Sequence, residues 1–274
     1  MYSGGMASPS RGVPAFLRLA AHPLRWRLLT ALADGDYRVR ELATLVAEPQ
    51  NLVSYHLRLL RDGGLVTASR SSFDGRDSYY HVDLDRCAEA LASAGAALHP
   101  ALAPKPAGGA PHPVPAPKPA GGAPHPVLDS ERAIQPTAGG VLFVCTGNSA
   151  RSPIAEALLR HRTGGRVEAA SAGSRPKPRL HPEAIRVLRD EFGIDVAGRR
   201  PRHWNTMTGR RFDYVISLCD KAREICPDFP DRPRRLHWSI PDPDQAGYPA
   251  FRRTAAGLDT RIRHLLSRME EVPQ

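Results

Sequence analysis

Val141-Leu142-Phe143-Val144-Cys145-Thr146-Gly147-Asn148-Ser149-Ala150-Arg151-Ser152-Pro153-Ile154-Ala155-Glu156-Ala157-Leu158-Leu159-Arg160 decides how the second half of the chain folds. Its four leading apolar residues read as a short buried strand. A polar loop follows, with Cys145 at its start and Arg151 six positions later. Pro153, a residue favoured in a first helical turn, opens an apolar-periodic helix through Ile154, Ala157 and Leu158. Strand, tight loop and helix N-terminus together predict an anion cradle, because loop N–H groups and the helix dipole converge on one point. Cys145 at that point is expected to have a lowered pKa, since the dipole and the Arg151 guanidinium both favour thiolate. The planar fork of Arg151 suits two oxygens of a tetrahedral oxyanion, and Ser152 is placed to donate a hydrogen bond to the thiolate.

The spacing Cys145-x5-Arg151-Ser152 directly after a strand resembles the low-molecular-weight tyrosine phosphatase family, which includes thioredoxin-coupled arsenate reductases. The resemblance implies a nucleophilic Cys145 and an oxyanion held by Arg151 with the loop residues Thr146, Gly147, Asn148, Ser149 and Ala150. Further on, residues 167–171, 212–218 and 235–238 read as strands, a helix opens at His181-Pro182-Glu183, and residues 251–269 supply a long closing helix. Alternating strands and helices predict a doubly wound α/β fold with a parallel four-stranded sheet and its site at the strands' carboxyl ends. Asp242-Pro243 follows the fourth strand and matches the family's general acid, with Asp244 as a competitor two residues away. Cys219 and Cys226 stand seven positions apart after the third strand and resemble the thiol relay of the reductases. Asn148 aligns with a loop-bracing position. Ser149, Glu156 and Ser171 align with positions that hold a monovalent cation in some members. Phosphotyrosine-directed members place aromatic residues directly after the Asp-Pro pair, whereas here Asp244-Gln245-Ala246-Gly247 precedes Tyr248.

The first hundred residues have a different pattern. Apolar residues at helical spacing run from Val13 to Asp34, broken by Pro23. Residues 40–46 and 50–60 follow as helices, the latter stopped by Gly63-Gly64. Residues 65–68 and 78–82 read as strands joined across Asp74-Gly75. Helix, turn, helix and hairpin make an α+β winged helix-turn-helix domain. The run from Gln50 to Val66 resembles the recognition helix of ArsR-family repressors, with Leu52, Leu57 and Leu60 packing inward. The resemblance puts Gln50, Asn51, Ser54, Tyr55, His56 and Arg58 at a DNA major groove and Arg70 and Arg76 at phosphate or a minor groove. Arsenic-sensing members carry a Cys pair or triple in the preceding helix, but residues 40–48 contain none. Cys87 stands alone just after the hairpin and is assigned to packing, as are His56 and His81 where metal ligation is concerned.

Residues 103–114 recur identically at 116–127, a Pro/Ala/Gly repeat with too little apolar surface to fold. The expected order is a disordered N-terminus over residues 1–12, the winged domain over 13–100, a disordered linker over 101–138 and the phosphatase-like domain over 139–274. Such a linker implies tethering rather than a rigid interface. His112 and His125, one per repeat, read as spacer residues. The net charge of +10 is concentrated after residue 140, so it does not single out the helix-turn-helix half. No apolar run reaches the roughly 18 residues of a membrane span, and no signal-peptide pattern opens the chain, which predicts a cytoplasmic protein with reduced thiols.

Taken together, the two resemblances imply a DNA-binding regulator fused to an arsenate reductase. No tightly bound cofactor and no metal site are expected. The implied partners are an operator DNA, an arsenate or phosphate oxyanion, thioredoxin or a low-molecular-weight thiol as electron donor, and a second copy through the winged domain. Two alternatives stay open: a phosphate monoester hydrolase fused to a DNA-binding domain, and an oxyanion-sensing repressor without turnover.

Overall fold

A computed structural model describes residues 12–103 and 140–270, apart from 208, 230, 231 and 245. The repeat expected as a linker, with His112 and His125, lies outside the described residues. In the first half, α1 (Ala15–Ala20) and α2 (Pro23–Leu32) are separated where Pro23 begins the second helix, capped by the His22 ring. There follow β1 (Tyr37–Arg38), α3 (Val39–Val46), α4 (Gln50–Asp62), β2 (Val66–Arg70), β3 (Ser78–Val82) and α5 (Leu84–Leu98). The Glu41 carboxylate accepts from the Arg38 N–H and closes the start of α3. Gly64, at φ +73, supplies the left-handed turn that ends α4. The strands form an antiparallel sheet in the order β1-β3-β2, with Val66 opposite Val82 and Arg70 opposite Ser78.

The core of this half is built from Leu24, Leu28, Leu32, Leu42, Val46, Val53, Leu57 and Leu60. Leu57 and Leu60 face inward as expected. Leu52 does not: it is 38% exposed, and Val53 is buried in its place. The reason is helical phase, since Val53, Leu57 and Leu60 share one face at spacings of four and three, and Leu52 lies a position off it. His56 is also buried, stacked on His22 with ring centroids 4.4 Å apart. It therefore packs beneath α4 and does not face a groove. Burial lowers its pKa from the ordinary histidine value.

The second half comprises β4 (Gly140–Cys145), α6 (Arg151–Thr163), β5 (Glu168–Gly173), α7 (Pro182–Phe192), β6 (Tyr214–Ser217), α8 (Asp220–Ile225), β7 (Arg234–His237) and α9 (Gly247–Glu270). The four strands are parallel in the order β5-β4-β6-β7, a doubly wound sheet with the expected strand count. Every residue of β4 is buried, which fits a central parallel strand covered on both faces. α6, α7 and α9 pack on one another, while α8 packs against β4 and β6. Among the described residues no helix is long and apolar enough to cross a membrane.

Tethering without an interface is not what the structure shows. Asp36, 1% exposed, receives both guanidinium nitrogens of Arg261 at 2.9 and 3.1 Å and the Ser239 N–H at 2.6 Å. The Asp36 N–H donates to the His237 carbonyl (2.8 Å). Gly35 permits that approach, because a Cβ there would lie 3.1 Å from the same carbonyl oxygen. Apart from Arg261 on α9, these residues sit in turns and at strand ends, where composition and periodicity give no sign of a partner.

Candidate active site and the winged-helix surface

The loop between β4 and α6 is shaped by where its carbonyls go. Those of Cys145, Thr146, Gly147 and Ser149 accept from the N–H groups of Ser174, Arg175, Lys177 and His181. In a planar trans peptide each N–H points opposite to its carbonyl, which turns N–H groups to the inside of the loop. The Asn148 N–H reaches the Cys145 sulfur at 3.3 Å. Asn148 holds a left-handed φ of +44, tolerated by asparagine, and its side chain braces the turn. Its amide donates to Ser152 Oγ and Ser171 Oγ, both at 2.9 Å, and its oxygen accepts from the Arg202 N–H at 2.7 Å. Ala150 caps α6 with no side-chain hydrogen bond, which leaves the first helical N–H groups available to an anion.

Cys145 is 2% exposed and lies 3.0 Å from Ser152 Oγ. The expected thiolate stabilisation is present but outweighed. Burial pushes the Cys145 thiol up, while the Arg151 charge and the Ser152 hydrogen bond pull it down. Arg151 does not spend its fork on the sulfur. Its Nη1 donates to the Ile240 carbonyl (2.9 Å) and its Nη2 to Asp242 Oδ2 (2.7 Å). Asp242 is thus brought to the loop, with its side chain still 58% exposed. Asp244 turns away to Lys177 and His181, at 2.7 and 2.8 Å, and the Lys177 hydrogen bond holds its carboxyl below the usual range.

Cys219 is buried, its thiol 3.4 Å from Thr146 Oγ1 and thus beside the loop that Cys145 opens. The same thiol accepts from the Ala222 N–H and caps α8. Cys226, half-buried, ends that helix, so the two thiols flank α8 from opposite ends. The four cysteines are free. Burial raises the pKa of Cys226 against the opposing charge of Arg235.

At the position aligned with a cation site, the ligand-type oxygens are already engaged within the chain. The buried Glu156 carboxylate accepts from Ser171 Oγ (2.6 Å), Arg199 (3.0 Å) and Arg202 (3.1 Å). Two guanidinium groups of the chain itself thus bring positive charge to Glu156. Arg199 and Arg202 went unnoticed in the sequence because they lie more than forty residues beyond Glu156 in an Arg-rich stretch. Among the described residues no group of three or more His, Cys, Asp or Glu side chains is placed to hold a metal ion.

On the winged half, Gln50, Asn51, Tyr55 and Arg58 are exposed along α4, and Ser54 is partly so. Arg70 donates to the Gly75 carbonyl across the hairpin turn and, like Arg76, is exposed. Cys87 is partly buried against the helical core, as its packing assignment requires.

Residues 140–274 match the model of the low molecular weight phosphotyrosine protein phosphatases, and residues 22–68 match that of the bacterial regulatory proteins of the arsR family. Over 123 residues the chain is 32% identical to the arsenate reductase of Brevibacillus brevis, spanning 45% of this chain and 90% of that protein. Over 129 residues it is 30% identical to the arsenate reductase of Halalkalibacterium halodurans, spanning 45% and 91%. The crystal structure of an arsenate reductase from Archaeoglobus fulgidus superposes with a TM-score of 0.41 at 30% identity, covering 46% of this chain and 98% of that one. With its cysteine loop, buried arginine and parallel sheet, the chain belongs to the low molecular weight phosphotyrosine protein phosphatase family through residues 140–274, and it carries an arsR-family segment ahead of that domain.

Proposed function

We propose that the chain is a bifunctional protein, a DNA-binding regulator joined to an arsenate reductase that works by a thiol relay. The observation that carries this is the second thiol: Cys219 lies against Thr146, the residue next to Cys145. Hydrolysis of a phosphate ester needs one nucleophile, whereas passing two electrons to an oxyanion needs a second thiol within reach. Names of relatives such as that of Brevibacillus brevis point the same way.

Arsenate is held by the loop amides and Arg151; the Cys145 thiol passes its proton to an oxygen of the bound oxyanion, and the sulfur attacks arsenic. Asp242, at 2.7 Å from Arg151, protonates the departing hydroxyl, which leaves as water. Cys219 then attacks Cys145 sulfur, and the S–As electron pair leaves with arsenite. Cys226 attacks Cys219 sulfur, freeing Cys145 and leaving a 219–226 disulfide. A dithiol of the thioredoxin class, or a low-molecular-weight thiol, reduces that disulfide by exchange.

For the winged half, the exposed face of α4 supplies Gln50, Asn51, Ser54, Tyr55 and Arg58 for base edges, and Arg70 and Arg76 for phosphates. Leu17 on α1 and Leu91 and Leu98 on α5 are exposed apolar residues that fit pairing of two copies about a two-fold axis.

Steady-state arsenate reduction with thioredoxin, its reductase and NADPH tests the enzymatic half. Turnover in the wild type, lost in Cys219→Ser, is the expected result. No arsenate turnover in either, with p-nitrophenyl phosphate hydrolysed equally by both, would replace the reductase with a phosphatase.

A further inference from the structure

The helix between the two relay thiols is also the one the winged domain holds. Asp220 Oδ2 accepts from the Ser72 N–H (2.6 Å) and the Ser72 hydroxyl (2.9 Å), both at the tip of the hairpin between β2 and β3. Its other oxygen accepts from His237 and Ser239, so the carboxylate is saturated and 2% exposed. Arg223 donates to Glu41 at the start of α3 (2.8 Å), and Glu224 pairs with Arg38. The guanidinium groups of Arg38 and Arg223 both lie over the ring of Tyr79, at 4.9 and 5.1 Å from its centroid. Three of the six residues of α8 thus bind the winged domain.

Cys219 and Cys226 cap that helix seven residues apart. Seven residues of helix rise about 10 Å. A disulfide requires Cα atoms about 4.4–6.8 Å apart. The 219–226 bond therefore cannot form while α8 is helical, and forming it removes the scaffold on which Asp220, Arg223 and Glu224 reach across.

We propose that the redox state of Cys219 and Cys226 controls the docking of the winged domain's hairpin: reduced, α8 holds the hairpin on the phosphatase-like domain; oxidised, α8 melts and lets it go. This inference rests on the relay of the preceding section for its natural trigger, in which the two electrons pass to arsenate. The hairpin carries Arg70 and Arg76, so its release would make arsenate turnover a signal to the DNA-binding half. Such a signal needs no cysteine site in α3, where none exists. Coupling is reciprocal: whatever holds the hairpin on α8 must disfavour the 219–226 disulfide at equilibrium.

The test uses the full chain and hydrogen exchange of residues 71–77 and 220–225. In one arm the wild type is oxidised by arsenate without reductant. In the other, Cys145→Ser is oxidised by diamide, which takes up two protons and two electrons as two S–H bonds give one S–S bond. Peptide mass mapping establishes which disulfide forms. Exchange in both segments is expected to rise at least about tenfold with the 219–226 bond and to stay unchanged in Cys226→Ser. A mapped 219–226 disulfide with residues 71–77 still protected would overturn the coupling and leave the relay standing. The bond forming with diamide but not with arsenate would overturn the relay, and exchange in the diamide arm would still decide the coupling. As the reciprocal measurement, Ser72→Ala combined with Glu41→Gln in Cys145→Ser should shift the 219–226 dithiol–disulfide equilibrium, read in a glutathione redox buffer, about fivefold or more towards disulfide. Glu41→Gln keeps the acceptor that caps α3, so an unchanged equilibrium in a folded triple variant would overturn the coupling.

Discussion

At Gly173, the last residue of β5, an added Cβ would stand 2.6 Å from the Thr146 carbonyl oxygen and 3.0 Å from Asn148. Both contacts are on the loop between β4 and α6, and the backbone oxygen cannot rotate away. Gly173→Ala should therefore destabilise the domain by about 1–3 kcal/mol and displace the loop. Urea titration reads the first effect and alkylation of Cys145 the second; an unchanged midpoint would mean the loop yields freely. Cys145 itself has a proton dependence with a definite sign. Its thiol is raised by burial, so the folded chain keeps a proton that the unfolded chain releases near the ordinary thiol value of about 8.5. Iodoacetamide labelling should accelerate only as pH climbs above that value, and Ser152→Ala should move the profile further alkaline because the Ser152 hydrogen bond favours thiolate. By the same linkage the domain loses stability as pH rises past the unfolded thiol's pKa. Labelling that is already maximal at neutral pH would contradict both statements.

Among the elements, α4 combines a buried face and an exposed one in thirteen residues. Leu57 is fully buried and Leu52 is 38% exposed, although both are leucines of one helix. Leu57→Ala should cost about 2–5 kcal/mol through lost burial and a residual cavity. Leu52→Ala should change thermal stability little, since the side chain already meets solvent. Equal losses would mean that Leu52 is covered by something, a second copy included. The strand β4 was readable from its sequence because four consecutive apolar residues between polar neighbours fit a strand buried on both faces. α8 was not readable: six residues are too short for a periodic signal, and the helix stands through its Cys219 cap and its contacts.

For the whole molecule, the two halves meet through charged and polar groups, as interfaces between domains of one chain commonly do. Exposed pairs such as Asp85 with Arg263 add little each. Asp36 differs because it is buried with its charge. Arg261→Ala would leave that carboxylate without its guanidinium at a cost of about 3–5 kcal/mol if the halves stayed docked. Undocking rehydrates Asp36, so the expected outcome is separation rather than unfolding. It would be seen as a larger radius in solution scattering and faster exchange of the Ser239 N–H, with thermal unfolding of each half retained. Asp220 gives the acid dependence of the same interface. Burial works against its charge, but hydrogen bonds from His237, Ser72 and Ser239 prevail and hold its carboxyl well below the usual carboxylate range. That stabilisation is present above the unfolded carboxyl pKa of about 3.9 and is lost as pH falls through the lowered value. Only the two Ser72 hydrogen bonds of that set cross between the halves, so protonation of Asp220 should weaken docking, read by scattering, only as pH falls through that lowered value.

What could be read along the chain is local. Cys145, Arg151 and Ser152 are joined by one strand, one turn and one helix start, so their spacing alone places them together. The same holds for Val66 facing Val82 across the hairpin. Groups assembled from distant segments had no such signature. Arg199 and Arg202 reach Glu156 from a loop more than forty residues away; Asp242, ninety-one residues from Arg151, was visible only through the family resemblance of its Asp-Pro pair, and its ion pair with Arg151 was not. Burial of Cys145, which reverses the direction of its pKa, depends on what packs over the loop. The docking of Ser72 on Asp220 across 148 residues depends on three-dimensional proximity between halves whose sequences carry no mutual pattern. Periodicity and motif report contacts within a few residues. Charge pairing and desolvation follow from distance in space, which comes into being when the chain has folded.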